Sequence, residues 1–365
     1  MNLGERLRFC RTRLKWTLSD VRIRTGVGES SLSDFENGKR EPTLGQLRAL
    51  ADAYQRTLSF FFEEAPPCRD VILWRKRPDK GVEEIESTFL RLCEQYHNLE
   101  RWTGDVRTSR LPQFRIAADD FGYPQARTLA RNFRNAMQLG DHPALSLLSV
   151  LEEACGVKIF HLSFDPSGTA ACAKSVRFGS AILLNARNKR WRRNFDLAHE
   201  LFHLLTWDLF SPADLDAEAG AKVEKLATCF ARNLLMPWET VESVVESRLQ
   251  DGKLGGASIF DIAREFDVSA EALVRHLGFE WRLGGERTEK MLQVTESRRA
   301  LLEDRADSPP PSYPDRYRAL AVQALNRGEL SLGRFAGYLG ISRQKAELHL
   351  DPDTANHEAI PVPPA

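Results

Sequence analysis

Along the first 64 residues, apolar side chains recur at helical spacing in short bursts. They are Leu3, Leu7 and Cys10, then Leu18, Val21 and Ile23, then Leu32 and Phe35, then Leu44, Leu47, Leu50 and Ala51. Gly26, Asn37-Gly38 and Pro42 punctuate the bursts, so the pattern predicts a string of short helices closed by Pro66-Pro67. A longer amphipathic helix is predicted from about 83 to 101, carried by Ile85, Phe89, Leu92, Cys93, Tyr96 and Leu99. Two further helical patterns cover about 124–138 and 143–155. The period then shortens to that of strands over Val157–Phe164 and Ser180–Asn185, with 171–178 as a third strand and Asp165-Pro166-Ser167-Gly168 as a turn. Helical patterns return over about 189–206, 217–235, 238–249, 258–266 and 270–277. A polar, Pro-rich stretch at 303–315 reads as a linker before a small helical unit at about 316–350, and 351–365 reads as a disordered tail.

A length of 365 residues suits two to three domains, because one core rarely serves more than roughly 250–300 residues. Charged residues at 28% beside 42% hydrophobic residues exclude a mainly disordered chain. The balance of 51 Lys+Arg against 51 Asp+Glu excludes a uniformly basic nucleic-acid coat, though not a local basic patch. No apolar run approaches the roughly 18–20 residues of a membrane helix, and the N-terminus has no signal-peptide core. Six scattered cysteines without a CxxC pair fit reduced thiols, so the expected setting is cytoplasmic.

The strongest chemical signal is His199-Glu200-Leu201-Phe202-His203. Residues four apart on a helix are rotated by only about 40°, so His199 and His203 can offer imidazoles to one ion. Glu200 stands one step around, beside the metal, where a zinc hydrolase keeps the glutamate that deprotonates metal-bound water. The bland alternative is a pair of core or surface histidines on an ordinary amphipathic helix. A third ligand has to come from elsewhere, since residues 204–209 (LLTWDL) contain no histidine. Glu224 is the first candidate, because Ala227 and Ala231 form a small-residue strip that lets its helix approach the histidines closely. Glu218 is the fallback, followed by Asp214 and Asp216.

The run RRNFDLAHELFHLL, preceded by SAILLNARN and followed by ExxAxxFAxxLLMP, resembles the ImmA/IrrE family of metallopeptidases. The resemblance extends from GVKIFHLSFDPSG to about residue 283. It implies a zincin-like fold, His199, His203 and Glu224 as zinc ligands, and Glu200 as catalytic acid/base. Phe202 stands where the family often has Gly, and Thr228 where it usually has Asn, so Phe202 is expected to crowd the cleft.

Residues 5–62 resemble a Cro/repressor-type (XRE) helix-turn-helix, with a second helix over about 18–25, a turn at Gly26-Val27-Gly28 and a recognition helix from near Glu29. By position, the resemblance implies Ser30, Ser31 and Ser33 as base-facing residues and Lys39 and Arg40 as backbone contacts on double-stranded DNA. The charge is modest, 11 Lys+Arg against 9 Asp+Glu over residues 1–64, and Glu29 and Asp34 lie on the recognition helix itself. A protein-interaction helix bundle is the alternative for this module. Arg75, Lys76 and Arg77 would add phosphate contacts or form a solvated face. The helix-turn-helix-like stretches near 258–277 and 316–350 are expected to pack or bind a partner.

Together these readings predict a multidomain chain. An all-α helix-turn-helix domain (1–65) and a helical linker region (66–120) precede an α+β zincin-like peptidase domain (121–285). A linker with a small C-terminal helical unit (286–350) and the tail complete it. The expected function is a regulatory zinc endopeptidase, with Mn2+ also compatible with the ligand set. It would cut a helix-turn-helix repressor in a stress or mobile-element response and bind DNA, as a homodimer on a two-fold operator. The alternatives are a non-catalytic regulator whose zincin-like domain senses a metal, ligand or nucleic acid, and an antitoxin-like partner-binding protein.

Overall fold

A computed structural model describes residues 1–54, 56, 58–62, 71–107, 111–112, 120–211, 216–302 and 307–349. The chain opens with helices α1 (Leu3–Arg13), α2 (Leu18–Thr25), α3 (Glu29–Glu36) and α4 (Leu44–Ala53), then strand β1 (Ile72–Trp74) and helix α5 (Val82–Thr103). Helices α6 (Tyr123–Ala136) and α7 (Leu147–Glu153) lead to strands β2 (Lys158–Leu162), β3 (Ala170–Ser175) and β4 (Gly179–Asn185). Next come α8 (Arg190–Leu205), α9 (Ala217–Leu235), α10 (Trp238–Glu246), α11 (Gly256–Glu265), α12 (Ala270–Glu280) and α13 (Gly285–Leu302). Helices α14 (Asp315–Asn326), α15 (Leu332–Leu339) and α16 (Arg343–Glu347) finish the described chain. The tail expected at 351–365 lies outside the described residues.

Two compact units emerge. The first comprises 1–71, 79–106 and the chain from Tyr317 onward; the second comprises 72–78 and 107–316. In the first unit, capping boxes start α1 (Asn2 with Glu5), α2 (Thr17 with Asp20) and α4 (Thr43 with Gln46), satisfying amide groups that a short helix otherwise leaves bare. Gly26 ends α2 at φ +72°, the left-handed turn that frees the chain to re-aim into α3. Leu7, Val21, Leu32, Phe35, Leu47 and Leu50 close a common core. The C-terminal helices pack on α5: the Tyr317 hydroxyl donates to Gln95 and to the Tyr338 carbonyl, each at 3.2 Å, and its ring meets Tyr96 edge-on.

The second unit holds a four-stranded sheet in the order β1-β3-β4-β2. β3 pairs antiparallel with both β1 and β4, whereas β2 and β4 run parallel. The three strands read from hydrophobic alternation are present, but β1 is an addition. Its three residues carry no periodic signal, and the sheet recruits them by register, Trp74 opposite Ala171 and Leu73 opposite Cys172. The region 66–120 is therefore divided between the units: β1 joins the sheet while α5 belongs with the N-terminal helices. Gly168 lets the chain after β1 pass over the β2–β3 turn, since a Cβ there would meet Pro78 at 2.8 Å. Helix α8 lies on β3 and β4, and α9 packs on α8 and α6. Helices α11 and α12 bury Ile259, Phe260, Ile262, Leu273 and Val274, so this helix-turn-helix-like stretch is occupied in packing. Among the described residues no helix is long and apolar enough to cross a membrane, and Cys10, Cys93, Cys155, Cys172 and Cys229 are buried thiols outside any disulfide.

Candidate functional site

Helix α8 is buried from Asp196 to Leu204, so its polar residues sit inside the unit rather than on a solvated face. Asp196, His199, Glu200 and His203 fall at i, i+3, i+4 and i+7 and share one side. Leu197, Leu201 and Phe202 are turned into the core. Helix α9 starts at Asp216, whose carboxylate accepts the Ala219 N–H at 2.8 Å, and buries Ala227 and Ala231 completely. That narrow strip lets Glu224 reach the histidines.

His199 Nε2 lies 2.9 Å from one Glu224 oxygen, His203 Nε2 lies 3.2 Å from the other, and the two Nε2 atoms are 3.3 Å apart. These three ligand atoms lie within 4.8 Å of one another, so the group could hold a metal ion. The spacing is informative, because zinc–nitrogen bonds of about 2.0–2.1 Å at tetrahedral angles separate two ligand atoms by about 3.3 Å. Two imidazoles and one carboxylate are also a donor set of catalytic zinc sites. Glu218 and Asp216 are not in the cluster, and Asp214 lies outside the described residues.

Burial lowers the His199 imidazole to about 3 against the opposing pull of Glu224, leaving it neutral and able to donate its lone pair. Burial raises the Glu224 carboxyl, but its bonds to His199 and His203 outweigh that and bring it to about 2. Glu200 is fully buried, and among the described residues neither carboxyl oxygen has a hydrogen-bond partner of regular geometry, the Cys172 thiol being its one polar contact of looser geometry. Burial therefore pushes Glu200 well above the usual carboxylate range, with the Cys172 thiol opposing the rise, Glu224 adding to it and Arg75 opposing it. A buried carboxyl without a partner is the group that a neighbouring cation would complete. His199 Nδ1 is also without a hydrogen-bond partner among the described residues.

Three residues of this site escaped the sequence reading. Asp196, one turn before Glu200, is almost wholly buried and takes bonds from Arg75, Arg192 and Asn188. Arg75, following β1, places its part-buried guanidinium against Asp196, within electrostatic reach of His199, Glu200 and Glu224. This corrects its reading as a phosphate contact or solvated charge: 121 residues separate it from Asp196, and only the β1–β3 pairing brings them together. Cys172, on β3, is the neighbour of Glu200. Position i−4 from Glu200 was a usable signal for Asp196; no local signal existed for the other two. The expected crowding by Phe202 does not occur, because its ring is buried among Phe121, Phe210 and Phe230.

In the N-terminal unit, Ser30 is exposed on the first turn of α3, Ser31 and Ser33 are partly exposed on the same helix, and Lys39 and Arg40 are exposed just after it. The Ser33 carbonyl and hydroxyl accept from Asn37 Nδ2 at 2.8 and 3.3 Å. Glu29 pairs with Arg22 at 3.1 Å, which offsets one acidic charge at the helix start.

Comparison with known proteins adds the following. Residues 152–277 match the model of peptidase family M78, the IrrE N-terminal-like domain, and residues 2–59 match a helix-turn-helix domain. Curated proteins give no match. A Mycobacterium tuberculosis transcriptional regulator is 16% identical over 50% of this chain and 51% of its own, with a TM-score of 0.34. The chain thus spans about half the length of that structure. Bacillus thuringiensis PlcR, solved with the peptide PapR7 and DNA, is 11% identical over 98% of this chain and 97% of its own, with a TM-score of 0.17. Neither likeness is close enough to carry an argument.

Proposed function

The chain carries an IrrE N-terminal-like domain behind a helix-turn-helix domain, and from that premise we propose that it is a regulatory zinc-dependent endopeptidase acting on a helix-turn-helix transcriptional repressor. The observation that carries this reading is the convergence of His199, His203 and Glu224 beside a fully buried Glu200. Zinc held by the trio supplies a Lewis acid that activates water and polarises a peptide carbonyl. Glu200 takes a proton from the attacking water on one carboxyl oxygen and delivers it to the departing amide nitrogen. Arg75, braced by Asp196, puts a positive charge beside both glutamates and favours their ionised forms between turnovers. The N-terminal domain binds double-stranded DNA as a dimer, with Ser30, Ser31 and Ser33 towards base edges and Lys39 and Arg40 on phosphates.

In this reading residues 1–65 bind DNA and 121–285 form the body of the peptidase, completed by β1 and Arg75 from the 66–120 region, while α5 from that region and the helices from α14 onward belong with the N-terminal unit and α13 with the peptidase. The test is cleavage of purified helix-turn-helix repressors encoded beside this gene, with and without Glu200→Gln. Cleavage by the wild type and none by a variant that keeps its metal supports the reading. Equal cleavage by both overturns it.

A further inference from the structure

Helix α8 borders a cavity on a different side from the histidines. A cleft of about 320 Å³ lies where α7, β2, β4 and the first turns of α8 meet, and residues 308–314 roof it. Leu148, Ile159, Leu184 and Leu197 form its apolar wall, with Pro309, Pro310 and Pro311 above, and polar and charged side chains line the remainder. The roof is tied down where Asp307 accepts the Arg190 backbone N–H at 3.3 Å and faces Arg193 at 3.5 Å. An apolar cavity of about 150 Å³ already admits benzene, so this cleft has room for a molecule of one or two rings.

The polar groups in the cleft are unevenly satisfied. Arg190 pairs with Asp267 at 3.0 Å, and Arg193 has Asp307 and the Asn188 carbonyl. Glu152 lines the cleft at 8% exposure and makes no hydrogen bond or ion pair among the described residues. An unpartnered buried carboxyl costs free energy that a matching ligand recovers. His161 also lines the cleft; burial, with Arg193 adding, lowers it to about 4, so it is neutral and can accept a hydrogen bond. Burial pushes Glu152 up to about 8, with Glu153 and Asp315 adding and Arg316 opposing. An ammonium ion reverses that penalty by pairing with the carboxylate. An anion finds both arginines already engaged and Glu152 repulsive.

We propose that this cleft binds a small organic cation, an amine carried on an apolar body of one or two rings, with its ammonium on Glu152 and its body between the aliphatic wall and the proline roof. The site is separate from the metal-ligating cluster and does not depend on the peptidase reading. Because Leu197 and Asn194 line it from the helix that carries His199, occupancy is felt directly by α8.

The test is calorimetric titration of the full-length protein with tryptamine, its neutral analogue tryptophol, and indole-3-acetate. Tryptamine binding at least tenfold tighter than tryptophol, with indole-3-acetate weakest, supports the proposal. In Glu152→Gln the preference for tryptamine should disappear while tryptophol affinity stays unchanged, which also shows that the variant is folded. Leu148→Trp, which fills the cleft, should abolish binding of both. The proposal is overturned if none of the three binds at millimolar concentration, if the acid binds best, or if Glu152→Gln keeps the preference for the amine.

Discussion

Replacing Arg75 with Met tests the electrostatic frame of the candidate site. The Asp196 side chain is 1% exposed and Arg75 15%, so the substitution strands a buried carboxylate. Its remaining partners are Arg192, about half exposed at 3.3 Å, and Asn188 at 3.4 Å, both weak substitutes. Removing one member of a buried pair costs about 3–5 kcal/mol, and Arg192 places this case at the lower end, about 3 kcal/mol. That lowers the folded-to-unfolded ratio by roughly a hundredfold and the melting temperature of a unit this size by about 6–12 °C. Urea unfolding followed by tryptophan fluorescence reads the effect, since Trp74 and Trp191 lie in the segments that carry the pair. Adding Asp196→Asn to Arg75→Met should recover about 2 kcal/mol, because the desolvated charge is gone. A loss below about 1 kcal/mol in Arg75→Met, or a double variant no more stable than the single, would refute the view that Arg75 compensates the burial of Asp196. Affinity for DNA should be unchanged in the single variant.

Metal content measured by mass spectrometry should be about one zinc per chain in the wild type, lost in Glu224→Ala and retained in Glu218→Ala; zinc kept in Glu224→Ala would sink that ligand assignment. Stability of the second unit should fall with rising pH because of Glu152. Its carboxyl holds a proton up to about 8 in the folded chain but ionises near 4.5 when unfolded. Between those values the unfolded chain binds fewer protons, so stability is lost as pH rises from about 5 to about 8. Glu152→Gln should flatten this dependence, and parallel melting-temperature curves for the two proteins would show that the folded carboxyl is not raised.

Much of the architecture is local and was legible as such. The bounds of α2 and α3 follow from the turn at Gly26-Val27-Gly28 and from apolar spacing, and β2, β3 and β4 from their shortened period. Helix α13 was missed because its charged residues are spread around the helix and leave no apolar stripe to read. Strand β1 was missed because three residues cannot display a period, and its pairing partner lies about a hundred residues away.

That His199, Glu200 and His203 share one side of a helix follows from their spacing, because rotation per residue is a property of the backbone alone. The sequence also singled out Glu224 through the small residues that permit close packing. Which charge faces which was settled by the packing of distant segments. It turned Phe202 into the core, set Arg75 against Asp196, and left Glu152 without a hydrogen bond or ion pair among the described residues in a part-apolar cleft. The physical reason is that periodicity fixes a side chain's direction relative to its own helix or strand. The energy of a buried charge depends instead on groups that distant segments bring to it.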